Sequence, residues 1–301
     1  MPNSKRARYY LGRVVKGGVL DTNKFVTALR KPASILKSNY SWTITKCQVF
    51  GPATNPDFVY ARLAKYEPDG NIEIVDPQKH DEIKSQVDNK LIASTPFVYI
   101  PRYSGIAYQH IWNSIQQEVF IRRFSEIIIE TFEKFFVKCE IDPITDYRTF
   151  IKRLVELDHI DKLSAKVSPP NPLFGILWTD LKKYLVDRDI DALSIAEDGK
   201  KDKHLKTKLV ELITLFMEKK DAQTLAEAAE KISMGDAAVL MAADGYGKAK
   251  LEGVKGKHMI IIRTSDNMKS FLFEKEPDPE ALYEQAKSLF EEINKERYME
   301  H

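Results

Sequence analysis

The chain has 301 residues, 43% hydrophobic and 30% charged, as expected of an ordinary soluble protein that buries a core without disulfides or other staples. No apolar run approaches roughly 18 residues, which excludes a transmembrane helix, and residues 1–10 are not followed by the apolar segment of a secretory signal. Net charge is only +2, but it is unevenly spread.

Residues 1–66 carry twelve Lys and Arg against Asp21 and Asp57, a local charge of +10, which leaves 34 basic against 42 acidic residues, or −8, for the remainder. Such polarity makes a positive field at one end of the chain and a negative one at the other. Cys47 and Cys139 lie among β-forming neighbours and read as buried free thiols, a usage that fits a reducing cytoplasm.

In chain order, residues 1–8 read as a basic arm and 8–15 as a first strand. Asp21 or Thr22 caps a helix through Phe25, Val26 and Leu29 that stops at Pro32. Alternation predicts strands at 42–50 and 58–66. Asp69-Gly70 signals a tight turn before a strand at 72–75. Residues 77–92 read as a short helix or a loop, and 97–102 and 105–110 as paired strands.

From residue 118 the pattern becomes helix, strand, helix, strand. Phe120, Phe124, Ile127, Ile128, Phe132 and Phe135 recur at helical spacing, followed by strands near 136–141, 160–167 and 190–195 with helices between them. That alternation predicts an α/β core with crossover connections. Ser168-Pro169-Pro170-Asn171-Pro172 reads as a rigid link. Two helices follow at 205–219 and 222–231. Strands at 237–242, 248–253, 258–264 and 270–274 would form a meander before a last amphipathic helix beginning at Pro277. The expected class is therefore α+β or α/β, as tandem ferredoxin-like or related strand–helix sandwich units with a carboxy-terminal meander and helix. Residues 1–112 would be a basic β-rich domain and 113–301 an acidic α/β domain.

Three constellations could carry chemistry. Arg6, Arg8, Arg13, Lys16, Lys46 and Arg62 are interleaved with Tyr9, Tyr10, Trp42, Phe50, Phe58 and Tyr60. Aromatics on a sheet can stack on bases while cations hold phosphates; the competing readings are a buried aromatic face with solvated charges, or a protein-docking surface. Asp244-Gly245-Tyr246-Gly247-Lys248 invites a phosphate-loop reading. It lacks the earlier glycine and the Ser or Thr after the lysine, so it reads as a hairpin turn between strands. Glu140 and Asp142 point to one side at the end of a central strand, where a metal-dependent hydrolase could hold its cation; an ordinary solvated strand end is the plainer alternative. None of the six histidines pairs with another His or Cys at metal-binding spacing, and Asp158-His159 reads as a helix end. No cofactor and no resident metal are expected.

Ser94-Thr95-Pro96-Phe97-Val98, residues 135–142, Pro169-Pro170-Asn171-Pro172-Leu173-Phe174 and Asp244-Gly245-Tyr246-Gly247 together resemble uncharacterised bacterial proteins classed as domains of unknown function. The likeness spans the last two-thirds of the chain. It implies a setting near mobile elements and phage-defence genes, and it carries over no site residues. The expectation is a cytoplasmic nucleic-acid-associated protein of antiviral defence, non-enzymatic by itself, whose acidic part meets a protein partner or a second copy. A metal-dependent nuclease or other hydrolase, and a structural subunit of a larger complex, are the alternatives.

Overall fold

A computed structural model describes residues 6–52, 54–78, 80–169, 174–200, 203–218, 222–297 and 299–300. Residues 1–5 of the expected arm and residues 170–172 of the proline link lie outside the described residues. The chain opens with β1 (Arg6–Gly18) and α1 (Thr22–Arg30), whose first turn is closed by Asp21 accepting from the Lys24 amide. Then come β2 (Ile35–Lys37), β3 (Tyr40–Phe50), the long pair β4 (Phe58–Asp76) and β5 (Asp81–Ile100), and β6 (Gly105–Gln109). Next are α2 (Gln117–Thr131), β7 (Val137–Pro143), α3 (Tyr147–Leu154), β8 (His159–Val167), the short β9 (Phe174–Gly175), α4 (Thr179–Asp187) and β10 (Leu193–Asp198). The chain closes with α5 (Leu209–Met217), α6 (Ala222–Ala229), α7 (Met234–Met241), β11 (Gly247–Lys255), β12 (His258–Arg263), β13 (Ser270–Glu274), α8 (Pro279–Glu296) and β14 (Met299–Glu300).

The result is a mixed α+β architecture. Eight strands form one sheet in the order β13-β1-β6-β5-β4-β3-β2, with β7 also paired to β1, and a second sheet runs β10-β8-β11-β12. Every pairing in both sheets is antiparallel, so the parallel crossovers expected from the helix–strand alternation are corrected. The ferredoxin-like order is not adopted either. In such a unit a strand lies between the two strands joined by a helix, whereas here β8 and β10, joined through α4, are direct neighbours. The first sheet takes strands from both sides of residue 112, so the stretches 1–112 and 113–301 share one sheet.

The first sheet is buried on both faces, and alternation assigns each residue to one of them. Val59, Ala61, Leu63, Phe97 and Tyr99 meet α1 and α2. Phe58, Tyr60, Val98 and Ile100 turn the other way, toward a larger core that includes Leu163 and Val167 of the second sheet and Phe290 of α8.

Three local expectations are corrected. Asp69-Gly70 is no turn but lies within β4, opposite Asp88 and Val87; a Cβ on Gly70 would come within 2.5 Å of the Lys90 Cβ, so the glycine answers to a cross-strand neighbour. Residues 81–92, read as helix or loop, belong to β5. Residues 237–242, read as a strand, fall in and just after α7, which is capped by Ser233 accepting from the Asp236 amide. A helix buried on all sides shows no amphipathic period, which hides it from pattern reading.

The Asp244-Gly245-Tyr246-Gly247 motif is therefore a helix-to-strand corner. Residues Ala242–Tyr246 form a wide π-type turn in which Gly245 takes φ 90°. A Cβ there would sit 3.0 Å from Arg13 Cγ and 3.2 Å from Ile144 Cγ1. Gly245→Ala is expected to cost about 1–3 kcal/mol, since both the backbone and the close approach exclude a side chain; a denaturant titration of the variant measures it.

Candidate functional site

Strand β1 sends its cations in different directions. Arg13 is wholly buried: its Nε donates to the Asp244 carbonyl at 2.8 Å, Nη1 to the Tyr103 carbonyl at 2.7 Å and Nη2 to Asn294 Oδ1 at 3.2 Å. Arg62 on β4 grips Glu276 through both terminal nitrogens, at 2.6 and 3.2 Å, and Ser94 through Nε. Both were expected to contact phosphate, and both are instead pinned by groups from the distant carboxy-terminal part. Lys16 is half-buried and donates to the Tyr99 hydroxyl and Ser104 Oγ. Lys46 is exposed on an irregularity of β3, where the register shifts between Thr45 and Gln48. It lies four strand positions from β1, roughly 19 Å at 4.8 Å per strand. Arg6 and Arg8 are exposed at the start of β1. The six cations thus do not gather on one face.

Arg8, however, stands in a row that the sequence did not assemble. It is opposite Leu272 on β13 and accepts the His110 amide across β6 at 2.9 Å. Tyr10, two residues on, shares that face and lies 6.0 Å from the His110 ring. Burial, and then the Arg8 charge, hold the His110 imidazole below its ordinary pKa. Trp112 follows, 5.4 Å from His110 and 75% exposed. It sits on a tight loop closed by reciprocal backbone bonds between Ile111 and Ile115, with Asn113 at φ 60°. A bulky apolar ring is therefore held in solvent by a fixed backbone next to His110, while the Arg8 guanidinium on the adjoining strand donates to Ser270 Oγ at 3.2 Å. Trp112 escaped the sequence reading because it belongs to no periodic element.

Glu140 and Asp142 lie on β7, and Lys138, Glu140 and Asp142 alternate toward the junction with β8 and β11. Asp142 is buried and its Oδ1 accepts no hydrogen bond, with Lys248 Nζ at 3.9 Å. Burial pushes its pKa up to about 7; Lys248 opposes that shift and Glu140 adds to it. Glu140 faces Lys138 at 3.9 Å, and Lys138 reaches Ser168 Oγ at 3.4 Å. Lysines therefore occupy the space a cation would take. Among the described residues no third carboxylate or imidazole joins these two acids at ligand distance.

The β4–β5 ribbon is the other prominent feature. Beyond Tyr66 of β4 and Leu91 of β5 the two strands pair only with each other. A two-stranded ribbon can enter a DNA major groove, but residues 66–91 hold seven Asp and Glu against three Lys, a charge that repels phosphate. No helix among the described residues is long and apolar enough to cross a membrane.

The fold is that of a mixed α+β protein built on two main antiparallel sheets, with Arg6, Arg8 and Trp112 exposed. The chain belongs to the DUF4747 family, a domain of unknown function, whose model matches residues 23–222. That match takes in Lys46 and Arg62, which the motif resemblance left out, and ends before Asp244. No curated protein matches the chain.

Proposed function

We propose that the protein is a cytoplasmic nucleic-acid-associated binding protein that takes single-stranded segments on the edge formed by Arg6, Arg8, His110 and Trp112. The observation that supports this reading is the exposed indole of Trp112 against His110, whose amide bonds the carbonyl of the exposed Arg8. An aromatic ring fixed in water offers a platform for a base, and each stacked base contributes about 1–3 kcal/mol. Arg6 and Arg8 supply the phosphate contacts, while Arg13 and Arg62 keep the fold. A role in antiviral defence rests on the family resemblance alone.

Titration with single-stranded DNA and RNA across a salt series tests the proposal. Affinity should fall steeply as salt rises, because phosphate contacts release counterions. Trp112→Ala should weaken binding roughly 5- to 100-fold at fixed salt, the equivalent of the lost stacking. Arg8→Ala should reduce the salt slope by about 1. Absence of binding at low salt, or two variants that bind like the parent, would refute the assignment.

A further inference from the structure

We infer that His159, Asp161 and His204 form a site for a divalent transition-metal ion, with Zn²⁺ as the first choice, and that the ion clips the loop after β10 onto β8. The site lies on the second sheet and is independent of the Trp112 edge.

The two imidazoles, from the start of β8 and from the loop before α5, stack with ring centroids 3.4 Å apart. Asp161 Oδ1 lies 3.5 Å from His159 Nε2 and 3.2 Å from His204 Nδ1. A tetrahedral Zn²⁺ with ligand bonds of about 2.0–2.1 Å holds its ligand atoms roughly 3.3 Å apart; both separations are of that size, the shorter being a hydrogen bond before an ion binds, and the stacked rings fan apart on loading to turn both lone pairs onto the ion. The three candidate donor atoms all fall within 4.8 Å of one another, and among the described residues no other group of His, Cys, Asp and Glu converges in this way. No spacing along the chain announces the pair, since His204 arrives from another element.

The backbone is built to make this convergence. The β8–β11 register shifts between Glu252 and Gly253, which face Lys162 and Ile160, so Asp161 is the extra residue of a bulge. Bulges re-aim a side chain and are over-represented beside active sites. A Cβ on Gly253 would lie 2.4 Å from the His159 carbonyl, so glycine at that position permits the distortion. Freed from the ladder, the Asp161 carbonyl accepts the Gly199 amide at 2.7 Å, and the Ile160 carbonyl accepts the Leu205 amide at 2.8 Å. These two bonds fasten both ends of the loop to β8 and set His204 against His159. Gly199 is itself in close quarters, as a Cβ would meet the Lys203 carbonyl at 2.8 Å.

Two imidazoles and one carboxylate are borderline-soft N and O donors suited to Zn²⁺, Co²⁺ or Ni²⁺ rather than to Ca²⁺ or Mg²⁺. Three protein ligands leave a fourth position for water or a ligand. His159 is half-buried and His204 exposed, so the ion can enter from solvent.

The test uses the tag-free chain of 301 residues after chelator treatment. Calorimetry with ZnCl₂ and the visible spectrum of added Co²⁺ should show one ion per chain in a low-symmetry site. His204→Ala and Asp161→Asn should each weaken that binding roughly tenfold or more. His204 lies on an exposed loop, so its variant should melt with the chelator-treated parent. Zn²⁺ should also slow tryptic cleavage at residues 200–208 in the parent and not in the variants. Failure to bind, or binding that survives both substitutions, would overturn the site; binding without protection from trypsin would overturn the clip.

Discussion

Arg297→Ala is expected to destabilise the protein by about 3–5 kcal/mol, measured by denaturant titration, because it leaves a buried carboxylate without its counter-ion. Asp244 and Arg297 are both buried, and Arg297 Nη1 donates to Asp244 Oδ1 at 2.6 Å. The same carboxylate accepts from the Tyr147 hydroxyl and from Trp178 Nε1, each at 2.9 Å. Arg297 Nη2 donates to the Thr145 carbonyl at 2.6 Å, and the guanidinium lies 3.8 Å from the Tyr147 ring centre. The cluster ties α3, α8 and the corner after α7 together. Asp244→Asn should cost a similar amount, since it strands the guanidinium instead. Combining both substitutions should cost much less than their sum, because the two groups are neighbours in one network. Additive losses would show that each acts independently.

The second large effect is a pH dependence at Asp142. With a folded value of about 7 and an unfolded value of about 3.9, Asp142 holds its proton in the folded state at pH values where the unfolded chain has released it. The folded state then binds more protons, so stability falls as pH rises from about 4 to about 7. At about 1.4 kcal/mol for each pH unit between the two values, the loss comes to roughly 4 kcal/mol. Asp142→Asn removes the charge while keeping the shape. It should match the parent near pH 4, exceed its stability at pH 8 and flatten the profile between. The loss of the Lys248 contact adds little, since that lysine is mostly exposed. Parent and variant curves with the same slope would rule Asp142 out as the titrating group.

These two groups illustrate what the chain discloses and what it conceals. Helices α2 and α8 are legible because one apolar stripe faces the core, and most strands follow from alternation and turn residues. The antiparallel pairing is not legible, since helix–strand alternation says nothing about which strands become neighbours. Likewise Arg13 and Arg62 look like surface cations until Asn294 and Glu276 are brought to them from the far end. Burial raises the Cys139 thiol to about 12, in keeping with an inert buried thiol, and its neighbours on the strand had suggested as much. His159 and His204 carry no local signal at all, because their meeting depends on a bulge and a loop.

Strand β1 is the first described element of the chain, yet it is bordered by β6, then β7, and finally β13, only a few residues before the last helix. During synthesis its Tyr-Tyr-Leu stretch emerges long before the segment that closes over Tyr9 has been made. Contacts so distant in sequence slow folding and prolong the exposure of unpaired edges. A nascent chain of this protein must therefore shelter β1 until the residues of β13 have been made.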